Sequence, residues 1–231
     1  AGVKRYTARM VIDGALIPAW LAASLWLSLI ATCLLALRYA DWRAVTQVPA
    51  RLHLLLGGAL FCVVLWLLSV RVIPGLWIHF LGITTLTLIL GWRFAILTGT
   101  LAVLVHTALI GQGAASIPIA WLLSVAVPAT VSRYLVFRLR QLKYRNLFIY
   151  MLGAGFGGGI LSVLALAATA LPLLWLIGQR AWVIDALANW PLISLLLFPE
   201  GFINGMVVTT LTVFYPQLVK TFDEHHYLDD G

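Results

Sequence analysis

The chain has 231 residues, 62% of them hydrophobic and 10% charged, with a mean hydropathy of +1.01. Soluble domains carry about 45–50% apolar and about 25% charged residues, and a larger core does not explain the excess, because a water-facing surface needs polar cover. The composition excludes a soluble enzyme with an appended anchor, and the long apolar runs exclude an outer-membrane barrel, whose strands alternate. The fold class expected is all-α, a polytopic transmembrane helical bundle over residues 1–231.

At about 20 apolar residues per crossing, the chain divides into seven spans. Residues 1–14 precede the membrane, and the first span covers residues 15–39. Other apolar runs follow it, so it reads as a span rather than a cleaved leader. The second covers 52–73. A shorter pair, 76–90 and 94–110, is joined by Gly91-Trp92-Arg93. The fifth covers 117–137. The sixth, 147–177, is long for one helix and is expected to end or bend near Pro172. The last covers 191–219 and contains Pro199-Glu200-Gly201, where a kink or break is expected. Six spans with a re-entrant 76–90 segment is the alternative. Residues 220–231 form an acidic, histidine-containing tail.

The net charge is +7, from 15 Lys and Arg against 8 Asp and Glu. The basic residues lie between apolar runs, which points to the positive-inside rule rather than to nucleic acid. The densest group is Arg133, Arg138, Arg140, Lys143 and Arg145. Placing that loop in the cytoplasm of a bacterial inner membrane also brings Arg38, Arg43, Arg51 and Arg93 inside. The N-terminus is then outside and the C-terminus cytoplasmic, with Lys4, Arg5 and Arg9 opposing. Cys33 and Cys62 both sit in apolar runs and read as small core residues.

Polar residues inside lipid are expensive and therefore informative. Glu200 is the one acid within an apolar run, with Asn204 one turn on. It reads either as an ion or proton ligand, or as a cap for the N–H groups of Phe202, Ile203 and Asn204. Under the capping reading, Glu200→Gln keeps an acceptor and most of the stability. His79 follows Pro74-Gly75 at the outer end of the third span, where a soluble ion could reach it. His106 lies deep in the fourth span and reads as a bond to another helix. His53 opens the second span as an interface residue. A haem or copper site on His53, His79 and His106 is a weaker reading. His225 and His226, with Asp223, Glu224, Asp229 and Asp230, read as a solvated tail with some capacity for divalent metal.

Gly153-Ala154-Gly155-Phe156-Gly157-Gly158-Gly159 lacks the Gly-Lys-Ser/Thr ending of a phosphate loop. Its pairs Gly153/Gly157 and Gly155/Gly159 have the spacing of close helix packing. No Ser-His-Asp spacing, His-Glu-x-x-His or paired carboxylate occurs, so no catalytic residue and no enzyme is expected.

Four stretches together resemble the membrane permease of cobalt/nickel energy-coupling-factor transporters, the CbiM/NikM family. Met10-Val11-Ile12-Asp13-Gly14-Ala15-Leu16-Ile17-Pro18-Ala19-Trp20 is similar to the family's opening, Met-His-Ile followed by Pro-x-Trp. Residues 69–82 resemble its segment ending in a metal-binding histidine and a nearby glycine, and residues 106–113 resemble its Gln-Ala-Leu to His-Gly-Gly stretch. Glu200-Gly201-Phe202-Ile203-Asn204-Gly205 resembles its last-helix Glu-Gly-x-x-x-Gly.

The resemblance implies a substrate-binding component with separate coupling and ATP-binding partners. It implies a nickel or cobalt ion as substrate, held by an N-terminal amine, a second-residue histidine and His79. Val11 stands at the second-residue position, nine residues precede Met10, Gln112 replaces a family histidine and His106 replaces a glutamine. The metal ligands expected here are therefore His79 and His106, with no certain cofactor. A relict permease fold serving as a structural or assembly subunit of a larger membrane complex is the competing function.

Overall fold

The computed structural model describes residues 12, 14–47, 49–73, 76–143, 146–223 and 227. Met10, Val11, Asp13, Pro74, Gly75 and the tail residues His225, His226, Glu224, Asp229 and Asp230 lie outside the described residues. So do Lys4, Arg5, Arg9 and Arg145.

A 3₁₀ turn, Gly14–Leu16, leads to α1 (Ala19–Tyr39). This helix is apolar all round, yet it buries one stripe, Leu21, Leu25, Leu29 and Ala36, while Leu27, Leu34 and Leu35 face outward. That division suits a helix with protein on one side and hydrocarbon on the other. Next come α2 (Trp42–Gln47), α3 (Pro49–Leu67), a hairpin of β1 (Val70–Ile73) and β2 (Leu76–Ile78), α4 (Ile83–Leu90) and α5 (Trp92–Leu109). The hairpin is antiparallel, with Val70 opposite Ile78.

A 3₁₀ turn, Ala114–Ser116, opens the next pass. It continues through α6 (Ile117–Trp121), a π-helical turn Leu122–Ala126 and α7 (Val127–Leu139). Pro128 has no N–H to close an α-turn, and the wide turn lies just ahead of it. A second π segment, Ile149–Gly157, leads into α8 (Gly158–Leu176). After it come α9 (Arg180–Ala188), α10 (Trp190–Ser194), α11 (Leu197–Phe214) and a 3₁₀ turn, Pro216–Leu218. Among the described residues, five helical stretches are long and apolar enough to cross a membrane, and Arg51–Leu67 is a shorter apolar helix. The chain is thus a polytopic helical membrane bundle.

Three expectations need correction. Residues 76–90 do not form a helical span: Gly82 takes a φ of +68°, and α4 has eight residues, about 12 Å of helix against a bilayer core of about 30 Å. The segment is not re-entrant either. It starts beside the end of α3, where Trp66 Nε1 donates to Leu81 O at 3.2 Å. It ends at the opposite face, where the N–H groups of Lys220 and Thr221 donate to Ile89 O and Leu88 O at 2.9 and 3.1 Å. At that same face Arg93 Nη1 reaches Tyr39 O, and Arg140 Nη2 reaches Thr221 O. The third pass is thus broken: strand, four irregular residues, half a helix. Irregular backbone at membrane depth survives only where protein surrounds it, and all eight residues of α4 are buried.

The second correction concerns Pro172, which lies inside α8 without ending it. The third concerns Pro199. It falls in the first turn of α11, where an N–H has no intrahelical acceptor to lose, so the helix continues unbroken to Phe214. The chain breaks earlier instead, between α10 and α11.

The glycine run behaves as close packing requires, through one of its two pairs. A Cβ on Gly155 would lie 3.1 Å from Gly205 Cα, and one on Gly159 would lie 2.9 Å from Gly201 Cα. Two small-xxx-small faces therefore meet backbone to backbone. Gly153 faces Leu139 instead, and Gly157 meets Leu152 O of its own segment.

Candidate metal site

Residues 79–82 join β2 to α4, and their irregular backbone leaves amides that α4 cannot satisfy itself. The partners come from α11. Glu200 Oε2 accepts from Leu81 N at 2.8 Å and Oε1 from Gly82 N at 3.0 Å. Asn204 Oδ1 accepts from Thr85 N at 2.9 Å and from Thr85 Oγ1 at 2.7 Å. Asn204 Nδ2 donates to Glu200 Oε1 and to Glu200 O, both at 2.7 Å. Glu200 and Asn204 are 1% and 0% exposed. One turn of α11 thus caps α4, and the carboxylate lies at the positive end of that helix.

Glu200 is therefore a cap, for a different helix from the one expected. Its partners are Leu81 and Gly82, not Phe202, Ile203 and the backbone of Asn204, whose N–H groups lie within a continuing α-helix. Gly82 is required here on two counts. Its φ is positive, and a Cβ would stand 2.9 Å from Leu65 Cδ1.

On the other side of the same tetrapeptide lies Trp66, which is fully buried near the end of α3. Its indole donates to Leu81 O, and Cys62 Sγ approaches the same oxygen at 3.8 Å. Two imidazoles pack on that indole. The His79 ring centroid lies 5.8 Å from it, and the His106 ring stands edge-on at 5.9 Å. His79 Nδ1 bonds Phe80 O at 3.1 Å, which leaves Nε2 buried and unpaired. His106 is 2% exposed, and both of its ring nitrogens are buried without a partner among the described residues.

His106 meets the neighbouring helix α3 at Trp66, on the same indole that His79 packs against. An imidazole held by one nitrogen on a backbone carbonyl presents the other as a metal donor. His53 does not join them: it precedes Trp66 by thirteen residues on one helix, about 20 Å of axial rise. A shared His53, His79 and His106 centre is ruled out by that spacing. Among the described residues no group of three or more His, Cys, Asp or Glu side chains is gathered.

Two polar features escaped the sequence reading. Trp66 was one tryptophan among ten, with nothing local to mark its indole as a bond donor. Thr84, Ser132 and Ser162 form a buried hydroxyl cluster at 2.8–3.3 Å that ties α4 to α7 and α8. The Thr84-Thr85-Leu86-Thr87 stretch inside an apolar run was the available signal.

The N-terminal segment reaches the same end of the bundle. Gly14 N donates to Ser116 Oγ at 2.9 Å, just beyond the exit of α5 that carries His106. Ile12 is buried in a cluster with Leu21, Ile119 and Leu174.

Fold and site together define a membrane bundle whose polar interior is concentrated at one broken pass, an arrangement found in transport proteins. The family comparison agrees. The model for the cobalt uptake substrate-specific transmembrane region, CbiM, matches residues 11–218, and the chain belongs to that family. No curated protein matches it. A crystal structure described as a transition metal transporter is similar in fold, with 19% identity over 94% of this chain and 96% of that one and a TM-score of 0.65. A truncated transition metal transporter matches with 18% identity, 94% and 100% coverage, and a TM-score of 0.66.

Proposed function

We propose that this chain is the substrate-binding membrane component of an energy-coupling-factor-type uptake system for a divalent transition metal such as nickel or cobalt. Membership of a cobalt uptake family supports the transport class. The observation that carries the metal is the pair of imidazoles on Trp66, with three of their four ring nitrogens buried and unpaired. Burying such groups without a partner is costly, and neutral imidazole suits nickel and cobalt. Coupling and ATP-binding proteins would be separate chains, since the glycine run is a packing face rather than a phosphate loop.

The test is metal loading. Protein purified with a nickel or cobalt salt, then desalted, should hold close to one ion per chain by elemental analysis. His79→Ala and His106→Ala should each weaken retention at least tenfold, without loss of monodisperse protein. Wild-type retention in the double variant would remove the site.

Orientation belongs to the same proposal. Arg51, Arg93, Arg133, Arg140 and Lys220 line one cavity at one end of the bundle, and the positive-inside rule makes that end cytoplasmic. An N-out, C-in chain in a bacterial inner membrane follows. A C-terminal green fluorescent protein fusion should fluoresce, and a C-terminal alkaline phosphatase fusion should be inactive. The reverse pattern would invert the topology.

A structural or assembly role is the competing proposal. It is favoured by the lack of a third ligand among the described residues. Native purification separates the two. Co-purifying ATP-binding proteins support transport, and a respiratory or oxygenase complex supports assembly.

A further inference from the structure

The cavity at the basic end of the bundle has a volume of about 380 Å³ and lies between the starts of α3 and α5, the end of α4, and α7. Arg51, Arg93, Arg133, Arg140 and Lys220 line it, with Asp41 the one carboxylate among its lining residues. These cations come from four separate elements, so the fold has brought them together.

Three of the guanidinium groups are fixed by neutral neighbours. Arg93 Nη1 donates to Tyr39 O at 2.6 Å, and Arg140 Nη2 donates to Thr221 O at 2.7 Å. The Arg133 guanidinium stacks 5.2 Å from the centroid of the Trp92 ring, and Trp92 Nε1 is anchored on Thr130 Oγ1 at 3.3 Å. Carbonyls and an indole orient these side chains without cancelling their charge. The segment bearing Lys220 is docked too, because its amides bond the last carbonyls of α4.

The rest of the wall is hydrocarbon. Leu54, Leu55, Phe94 and Phe137 line the same cavity, and Phe137 is 58% exposed on the outer surface of the bundle. Phe137 lies between Arg133 and Arg140 in the sequence, so an exposed apolar side chain and the cationic groups share one cavity. A free phosphate or nucleotide would use the cationic end alone. An anionic phospholipid would use both, with its phosphate among the arginines and its acyl chains along Phe137.

We propose that this cavity is a binding site for the phosphate headgroup of an anionic phospholipid. Arginine forks match phosphate oxygens in a way that a point charge does not, and basic pockets between membrane helices favour such headgroups. The inference rests on the cavity alone and does not depend on metal transport.

Native mass spectrometry of the full chain in mild detergent tests it, with phosphatidylglycerol, cardiolipin or phosphatidylcholine added in equal amounts. Phosphatidylglycerol and cardiolipin should be retained at least tenfold over phosphatidylcholine. The double substitution Arg133→Gln with Lys220→Gln should abolish that preference. Arg138→Gln, on the same helix but outside the cavity, should keep it. Should the double variant melt early in lipid-free detergent, Lys220→Gln alone carries the comparison. The anionic lipids should raise the melting temperature of wild type, and inorganic phosphate or ADP at millimolar concentration should not. Equal retention of all three lipids, unchanged preference in the substituted protein, or stabilisation by phosphate or ADP alone would overturn the proposal.

Discussion

Glu200→Ala should be the most damaging polar truncation in this protein, lowering its melting temperature in detergent well beyond that of any surface substitution. The carboxylate is 1% exposed and bonds Leu81 N, Gly82 N and Asn204 Nδ2. Asn204 Nδ2 keeps a second acceptor in Glu200 O, so the loss falls on the two backbone amides. A buried donor left without its partner costs about 1–3 kcal/mol, and here two are orphaned, on the adjacent buried residues Leu81 and Gly82. Glu200→Gln should recover only about half of the loss. Its one carbonyl can serve Leu81 N or Gly82 N, while its NH₂ must face the other donor. That differs from a cap on its own helix, where a single acceptor oxygen would suffice. The same pair of variants reports on the metal site, since Leu81 follows His79 by two residues and its carbonyl holds Trp66. Glu200→Gln should weaken metal retention without altering a ligand. A Glu200→Ala protein as stable as wild type would refute the cap.

Glu200 was visible in the sequence because a carboxylate inside an apolar run has few tolerable environments. Its partners were not visible, because they lie 118 and 119 residues earlier in the chain. Nothing local links two such segments, and the nearest available explanation was a cap on the following residues. The same limit applies to residues 76–90. That run has the hydropathy of a span although it is short for one, and period alone does not separate a buried strand from a buried helix. What decides it is the positive φ at Gly82 together with burial on every side of α4, and both are tertiary facts. By contrast, α1 and α5 follow closely from their apolar runs, since a lipid-facing helix needs only length and hydropathy to be recognised. His79 and His106 were each legible as polar residues in apolar surroundings. Their meeting on Trp66 was not, because it depends on α3 ending where α5 also ends.

Gly159→Val tests the packing on which the cap depends, and it should destabilise the bundle by about 1–3 kcal/mol or more, as overpacking of a tight interior does. A Cβ at Gly159 would stand 2.9 Å from both Glu200 O and Gly201 Cα, and 3.2 Å from Asn204 Nδ2. The first two are backbone atoms of α11 and cannot rotate away. The helices must separate, and α11 carries Glu200 and Asn204 with it. Their contacts to Leu81, Gly82 and Thr85 are between 2.7 and 3.0 Å, so a displacement of even half an ångström stretches every one of them. Gly159→Val should therefore lower metal retention as Glu200→Gln does, from a position on a different helix. Gly57→Ala is the matched control. It lies within α3, and a Cβ there would meet nothing within 4 Å. Relief of glycine's helical cost, about 1 kcal/mol, should leave that variant as stable as wild type or slightly more so. Equal melting temperatures for Gly159→Val and Gly57→Ala would mean that the glycine faces of α8 and α11 are not in contact.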